Sequence, residues 1–368
     1  MRGEENFKFL SEVLRTISDE LNALQHDGLI WQNQEYTFET KVIVDLAGLW
    51  AITPLDCDYL RNLDIEFCPY CTASCGQAHI FTVDRNGPVK PRVDPFENSM
   101  LGCSPTNFIF CGLHMRMRIT ERLIYLMANE LYSAKSKSKF DARIKSAGIE
   151  ALEKELEKLE ITHLKFSPKK KKNQSELYST DMTGQLRGYE LKKLFNSFNN
   201  GHEVTNDTWS KIASLEPVTD NADLTVSLWQ SWNEIQKYLT RHEPFSPHEL
   251  QQLNNLIVIF GDAYTRRYSA KRVTPYVHIL CAHLVEVLTK HGSIGRYSQE
   301  VFESTHKFHR RIFQRASSHR GSRSNVSSIL QIFQRIYRLI LLRTELKIPP
   351  HHSMTFPKLY KYAKQSKT

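Results

Sequence analysis

No run of residues in this 368-residue chain is apolar for long enough to cross a bilayer. Its first ten residues, MRGEENFKFL, are charged from the start and lack the apolar core of a cleavable signal. Both absences lead us to expect a soluble, intracellular protein with no membrane partner. Cysteine is scarce and odd in number, seven residues with one close Cys-x2-Cys pair. That excludes a disulfide framework and favours a reducing compartment and metal binding. No internal repeat is present, which sets aside solenoid folds. Strand signals are few between residues 106 and 268, so an all-β fold is excluded as well.

What is present in surplus is positive charge. Lys and Arg number 49 against 40 Asp and Glu, for a net charge of +9 and a pI near 9.1. Cations that neutralise phosphates release counterions and gain affinity for any nucleic acid, so nucleic acid is the leading partner, which the resemblance described below narrows to double-stranded DNA. An ordinary solvated basic surface is the plainer alternative.

The first periodic segment, 7–25, places Phe7, Leu10, Val13, Leu14, Ile17, Leu21 and Leu24 on one helical face. After Gly28 the run 36–46, YTFETKVIVDL, is rich in β-branched and aromatic residues and reads as a buried strand with Asp45 at its carboxyl end. An acid there sits at the lip of an α/β sheet, where it meets ligands, or else it simply forms a turn. Residues 82–105 read as a loop. From 107 the pattern is an apolar and basic helix, with Cys111 and His114 near its start and Arg116, Arg118 and Arg122 flanking the apolar face. Cys111 and His114 are a secondary or structural metal pair, or His114 is a core histidine.

An amphipathic helix carrying Leu152, Leu156 and Leu159 leads into Lys169, Lys170, Lys171 and Lys172, a basic linker that reads as a nuclear localisation signal. From 189 to 268 the pattern is helical throughout and includes Trp209, Trp229 and Trp232. A further amphipathic helix covers 326–343, and a basic tail follows.

The chemistry gathers elsewhere. In the stretch 276–311, His278 and His283 are separated by four residues, and Cys68 and Cys71, in the knuckle EFCPYCTASCGQAHIF, supply the other half of a tetrahedral zinc site. Cys75 and His79 offer a tighter local closure of the same knuckle. Twenty residues beyond His283 comes Glu303, with His306, Lys307 and Arg310 at i+3, i+4 and i+7 on one helical face. A carboxylate beside phosphate-binding cations results, and Lys307, Arg310, Arg311 and Arg315 are the candidate DNA contacts.

The order of these motifs resembles that of the RNase H-like DDE transposases whose catalytic sheet is interrupted by a helical insertion. It is similar in particular to Transib-type transposases and the recombination-activating recombinase of antigen-receptor rearrangement. The shared order is Asp at a strand end, Cys-x2-Cys, Cys-x2-His opening the insertion, His-x4-His, then Glu in a helix. The resemblance implies that Asp45 is the second catalytic Asp and Glu303 the final Glu, acting with Mg²⁺ or Mn²⁺. It also implies that Cys68, Cys71, His278 and His283 hold one structural zinc.

The fold expected is mainly α with a small β component, the remnant of an RNase H-like α/β core interrupted by a large all-α insertion and stapled by zinc. Its parts would be a core segment at 1–66, a zinc knuckle and loop at 67–105, and a helical insertion at 106–270 with a basic linker near 167–173. Core helices at 271–345 and a tail at 346–368 complete it. The family's first Asp precedes the region matched here, so the expectation is a nuclear, transposon-derived DNA-binding protein, catalytically impaired, with a homodimer admissible. An active strand-transfer enzyme completed by an upstream segment, or a non-enzymatic zinc-stabilised interaction scaffold, are the alternatives.

Overall fold

The computed structural model describes residues 15, 18–46, 49–50, 53, 55, 63–92, 104–133, 147–170, 178–199 and 222–298. The chain divides into two compact units, Met1–Ser298 and Gln299–Thr368. All described residues belong to the first. Glu303, Lys307, Arg310, Arg311, Arg315, the helix expected at 326–343, Trp209, Lys171 and Lys172 lie outside them.

The architecture is mainly helical with small sheets, in keeping with the composition. After a helical stretch over 18–27, the strands β1 (Leu29–Trp31) and β2 (Gln34–Tyr36) form an antiparallel hairpin. Its two-residue turn carries Gln32 at φ 49° and Asn33 at φ 62°, the left-handed pair that matches the twist of the flanking strands. The apolar run 36–46 predicts one strand. Beyond Tyr36, which ends β2, only β3 (Val42–Val44) is regular within it, and residues 37–41 pair with no strand among the described residues.

The partner of β3 is β4 (Phe108–Phe110), parallel and in the register Val42↔Phe108, Ile43↔Ile109, Val44↔Phe110. This corrects the helix expected from 107. Phe108, Ile109 and Phe110 are all buried, as a strand covered on both faces requires, and the helix α1 (Gly112–Ser133) starts only after Cys111.

Helix α1 is the axis of the body. Its inner side buries Met115, Ile119, Leu123, Met127 and Leu131, against which α2 (Ala147–Lys158), α3 (Gly188–Asn199) and α4 (Ala222–Thr240) are laid. Between α2 and α3 lies a second correction to the all-helical middle. Strands β5 (Lys165–Lys170) and β6 (Tyr178–Thr183) pair antiparallel and rest on α1. Lys169 and Lys170 are therefore in a hairpin, opposite Ser179 and Tyr178, and not in a free linker.

Helices α4 and α5 (Pro247–Tyr268) pack with Trp232 against Phe260 at 5.7 Å, and within α5 Phe260 in turn meets Tyr264 at 5.9 Å. A capping box starts α5: the Ser246 hydroxyl accepts from the Glu249 amide, and Glu249 accepts from the Ser246 amide at 2.8 Å. Helix α6 (Pro275–His291) follows with Thr274 as its cap and Pro275 in its first turn, and ends at Gly292, whose φ of 75° suits only glycine. Next along the chain, Gly295 packs so closely that a Cβ there would collide with the Arg241 carbonyl oxygen.

In the core, the Trp232 indole N–H donates to the Thr120 hydroxyl at 3.0 Å, and both residues are fully buried. Thr120→Val keeps the volume and strands that donor. We expect a loss of about 1–3 kcal/mol in urea unfolding. In the Thr120→Val/Trp232→Phe double variant the total should fall well short of the two single losses added together.

Candidate metal centre and the strand-end acid

Cys68 and Cys71 sit in a knuckle built by backbone hydrogen bonds. The Phe67 amide donates to the Ala73 carbonyl at 3.2 Å and the Cys75 amide to the Ile65 carbonyl at 2.9 Å, which turns the chain back on itself around Pro69. Residues 90–92 strap its side: the Thr72 amide donates to the Lys90 carbonyl and the Arg92 amide to the Tyr70 carbonyl. The Arg92 guanidinium also reaches the Cys71 carbonyl at 3.1 Å and the Glu66 carboxylate at 2.5 Å. The two thiols are thus presented from a rigid turn, and both are fully buried.

His278 and His283 come from α6. Five positions along a helix advance about 7.5 Å and turn about 140°, so the imidazoles straddle the knuckle instead of stacking on one line. Their Nε2 atoms each lie 3.3 Å from the Cys71 Sγ. All four ligand atoms are within 4.8 Å of one another, and all four residues are buried. Ideal tetrahedral zinc, with bonds near 2.3 Å to sulfur and 2.0 Å to nitrogen, would separate S and N by about 3.5 Å.

The outer partners are those that such ligands use. His278 Nδ1 is 3.0 Å from the Ala78 carbonyl oxygen, to which it donates, leaving Nε2 to face the thiolate. His283 Nδ1 faces the Glu286 carboxylate at 3.5 Å, a charge contact too long for a full hydrogen bond. Phe67 and Tyr70 close the site edge-on and tilted against the two imidazoles, each at 5.1 Å.

The electrostatics agree with that assignment. The Cys68 thiol, donating to Cys71, holds the Cys71 thiol far below its ordinary range, and both imidazoles add to the effect. Burial drives Cys68 the other way, well above. Burial would lower His283, but the Cys71 thiolate and Glu286 outweigh it and raise it. His283 in turn holds Glu286 low. A dication bound here would take both sulfurs as thiolates and both imidazoles as neutral ligands, which would balance its charge. The donor set and its spacing therefore fit a metal such as zinc. Cys75 and His79 do not join this group: Cys75 is buried outside it and His79 is exposed.

Cys111 and His114 are not part of the metal group either. They open α1 at the carboxyl end of the β3–β4 pair, where Asp45 also stands. His114 Nε2 is 4.0 Å from Asp45 Oδ2, with Asp45 about one third exposed at 35%. His114 thus faces the acid. The Tyr276 hydroxyl accepts the Leu46 amide at 3.4 Å. Burial first, then its Leu46 bond and the nearby Asp45, set its phenol, pushed up to about 12.

Tyr276, Glu286 and Tyr70 carry no motif of their own. Only the spacing of Glu286, one turn after His283, could have flagged any of them.

Removing the metal should unfold the knuckle. We expect a chelator to lower the thermal midpoint of the wild-type chain by several degrees or more, and Cys68→Ser and His283→Ala to do the same without chelator. Equal midpoints with and without chelator would remove the centre. Glu286→Gln should leave the fold intact but weaken metal affinity about 10- to 100-fold in competition with a chromophoric chelator.

Compared with protein-family models and with curated proteins, the chain matches none.

Proposed function

We propose that this chain is a transposon-derived, DDE transposase-like DNA-binding protein in which zinc at Cys68, Cys71, His278 and His283 is structural. The observation that carries the reading is the link between metal centre and acid. One helix, α6, supplies both imidazoles and, through Tyr276, pins the backbone beside Asp45. Four protein ligands leave no open position, so the zinc is a clamp and not a catalyst.

In a DDE enzyme, carboxylates hold divalent ions that activate the attacking oxygen and stabilise the leaving one. Asp45 at the mouth of a parallel strand pair is suited to that role, and Glu303, outside the described residues, is the other acid the resemblance implies. The reading proposed is DNA binding, and cleavage is tested separately. The net charge of +9 supports a polyanionic partner. The lysines at 169–172, although Lys169 and Lys170 are in a hairpin, remain a candidate nuclear signal.

Purified chain is to be titrated with labelled duplex DNA at several salt concentrations, and then incubated with it in Mg²⁺ or Mn²⁺. Binding that weakens steeply with salt, with little or no nicking, is the expected outcome. Salt-independent or absent binding would remove the DNA reading in favour of a zinc-stabilised scaffold. Robust nicking lost in both Asp45→Ala and Glu303→Ala would instead make the chain an active enzyme.

A further inference from the structure

Asp45 stands at the head of a row of basic side chains. On α1, His114, Arg118 and Arg122 follow one another at four-residue intervals. They share one face and climb the axis by about 6 Å per step, about 12 Å in all. The Arg118 side chain is 37% exposed, and the Arg122 guanidinium lies over the Tyr125 ring at 5.4 Å.

The turn Ala270–Arg272 runs beside this face. Arg122 Nη2 donates to the Arg272 carbonyl oxygen at 3.3 Å, which also accepts the Tyr264 hydroxyl at 2.9 Å, while the Lys271 and Arg272 side chains are exposed. Four residues on, Tyr276 returns to the other end of the row, beside Asp45. The turn and the helix face therefore run together from Arg122 to Asp45. Glu121 is the acid set against them. It pairs with Arg118 at 2.9 Å, but it is buried and already accepts the Leu186 amide at 2.7 Å.

We propose that Arg118, Arg122, Lys271 and Arg272 seat the sugar–phosphate backbone of a nucleic acid and lead one phosphodiester to Asp45. The inference deepens the DNA-binding reading and rests on it. Three of the four cations are guanidiniums, whose planar forks match phosphate oxygens in pairs. The row is linear, and about 12 Å is the rise of three to four nucleotides at about 3.4 Å each. An acidic protein surface would have no use for a carboxylate at the head of the row. A phosphodiester approaching through a divalent cation does.

Fluorescence anisotropy of a labelled 30-base-pair duplex, with the full chain at 50 to 300 mM salt, tests this. The R118Q/R122Q/K271Q/R272Q variant should bind at least about tenfold more weakly at 100 mM salt. Its slope of log K against log salt should be shallower by about 2 to 4, near 0.9 for each phosphate left without its cation. The K271Q/R272Q variant, altered only at exposed side chains, should keep the wild-type unfolding midpoint and show about half the change. K154Q/K237Q, on α2 and α4, should leave the slope as it is.

A quadruple variant with the wild-type slope, or a control pair that changes it as much, would overturn the seat while leaving DNA binding by the chain in place. A wild-type chain without salt-dependent DNA affinity would remove the function and the seat together. Displacement of the duplex by polyglutamate at equal charge concentration, as effectively as by unlabelled DNA, would assign the row to an acidic protein instead.

Discussion

The Cys71 thiolate, faced by two imidazoles at 3.3 Å, ties together positions 207 and 212 residues apart in the chain. Closing a loop that long in an unfolded chain costs about 5 kcal/mol in conformational entropy. Hydrophobic contact could repay such a cost, but it would not fix which atoms meet. A tetrahedral ion does, because each ligand must arrive at its own bond length and angle. The clamp also settles a problem of its own making. Two thiols and two imidazoles placed in a dry interior lose their water, and a cation that takes all four ligands would make that burial favourable.

From the clamp, order passes to the strand pair by three hydrogen bonds. The Tyr70 hydroxyl, one residue before Cys71, donates to the Phe108 carbonyl of β4 at 2.8 Å. The Trp50 indole, just after the strand end, donates to the Phe67 carbonyl beside Cys68 at 3.2 Å. Tyr276, two residues before His278, accepts the Leu46 amide. Each ligand-bearing segment thus holds one side of a two-stranded parallel ladder that has only three residue pairs to hold itself. Strands so short are marginal by themselves. The position of Asp45 is therefore a property of the clamp as much as of the strand that carries it.

This division explains what was legible in the sequence. The ligands could be read because metal chemistry restricts both residue type and spacing, and Asp45 because a β-branched run ends on it. The helices α1 to α5 declared themselves by their apolar period. Strand β4 did not, since three apolar residues before a long helix have no period of their own, and their partner lies 66 positions away at Val42↔Phe108. The β5–β6 hairpin was hidden for the opposite reason. Its sequence, KFSPKK, carries a proline and three lysines, which read as a linker, and it is a strand only because Phe166 packs into the core beside α2. The surroundings of His114 could not be read from spacing, since it is the turn between β4 and α1 that sets the imidazole 4.0 Å from Asp45.

The cation row was illegible for a different physical reason. Arg118 and Arg122 on an amphipathic helix are indistinguishable in sequence from ordinary solvated arginines. They acquire meaning only when the turn at 270–272 is laid against them, and that turn is placed by the start of α6, hence by the clamp. A dication held by two thiolates and two neutral imidazoles would be charge-balanced, so the surface surplus of positive charge does not depend on that centre. Near Asp45 the His114 imidazole stands at 4.0 Å, while Arg118 is turned toward Glu121 one turn along its own helix, so the packing of α1 sets both contacts.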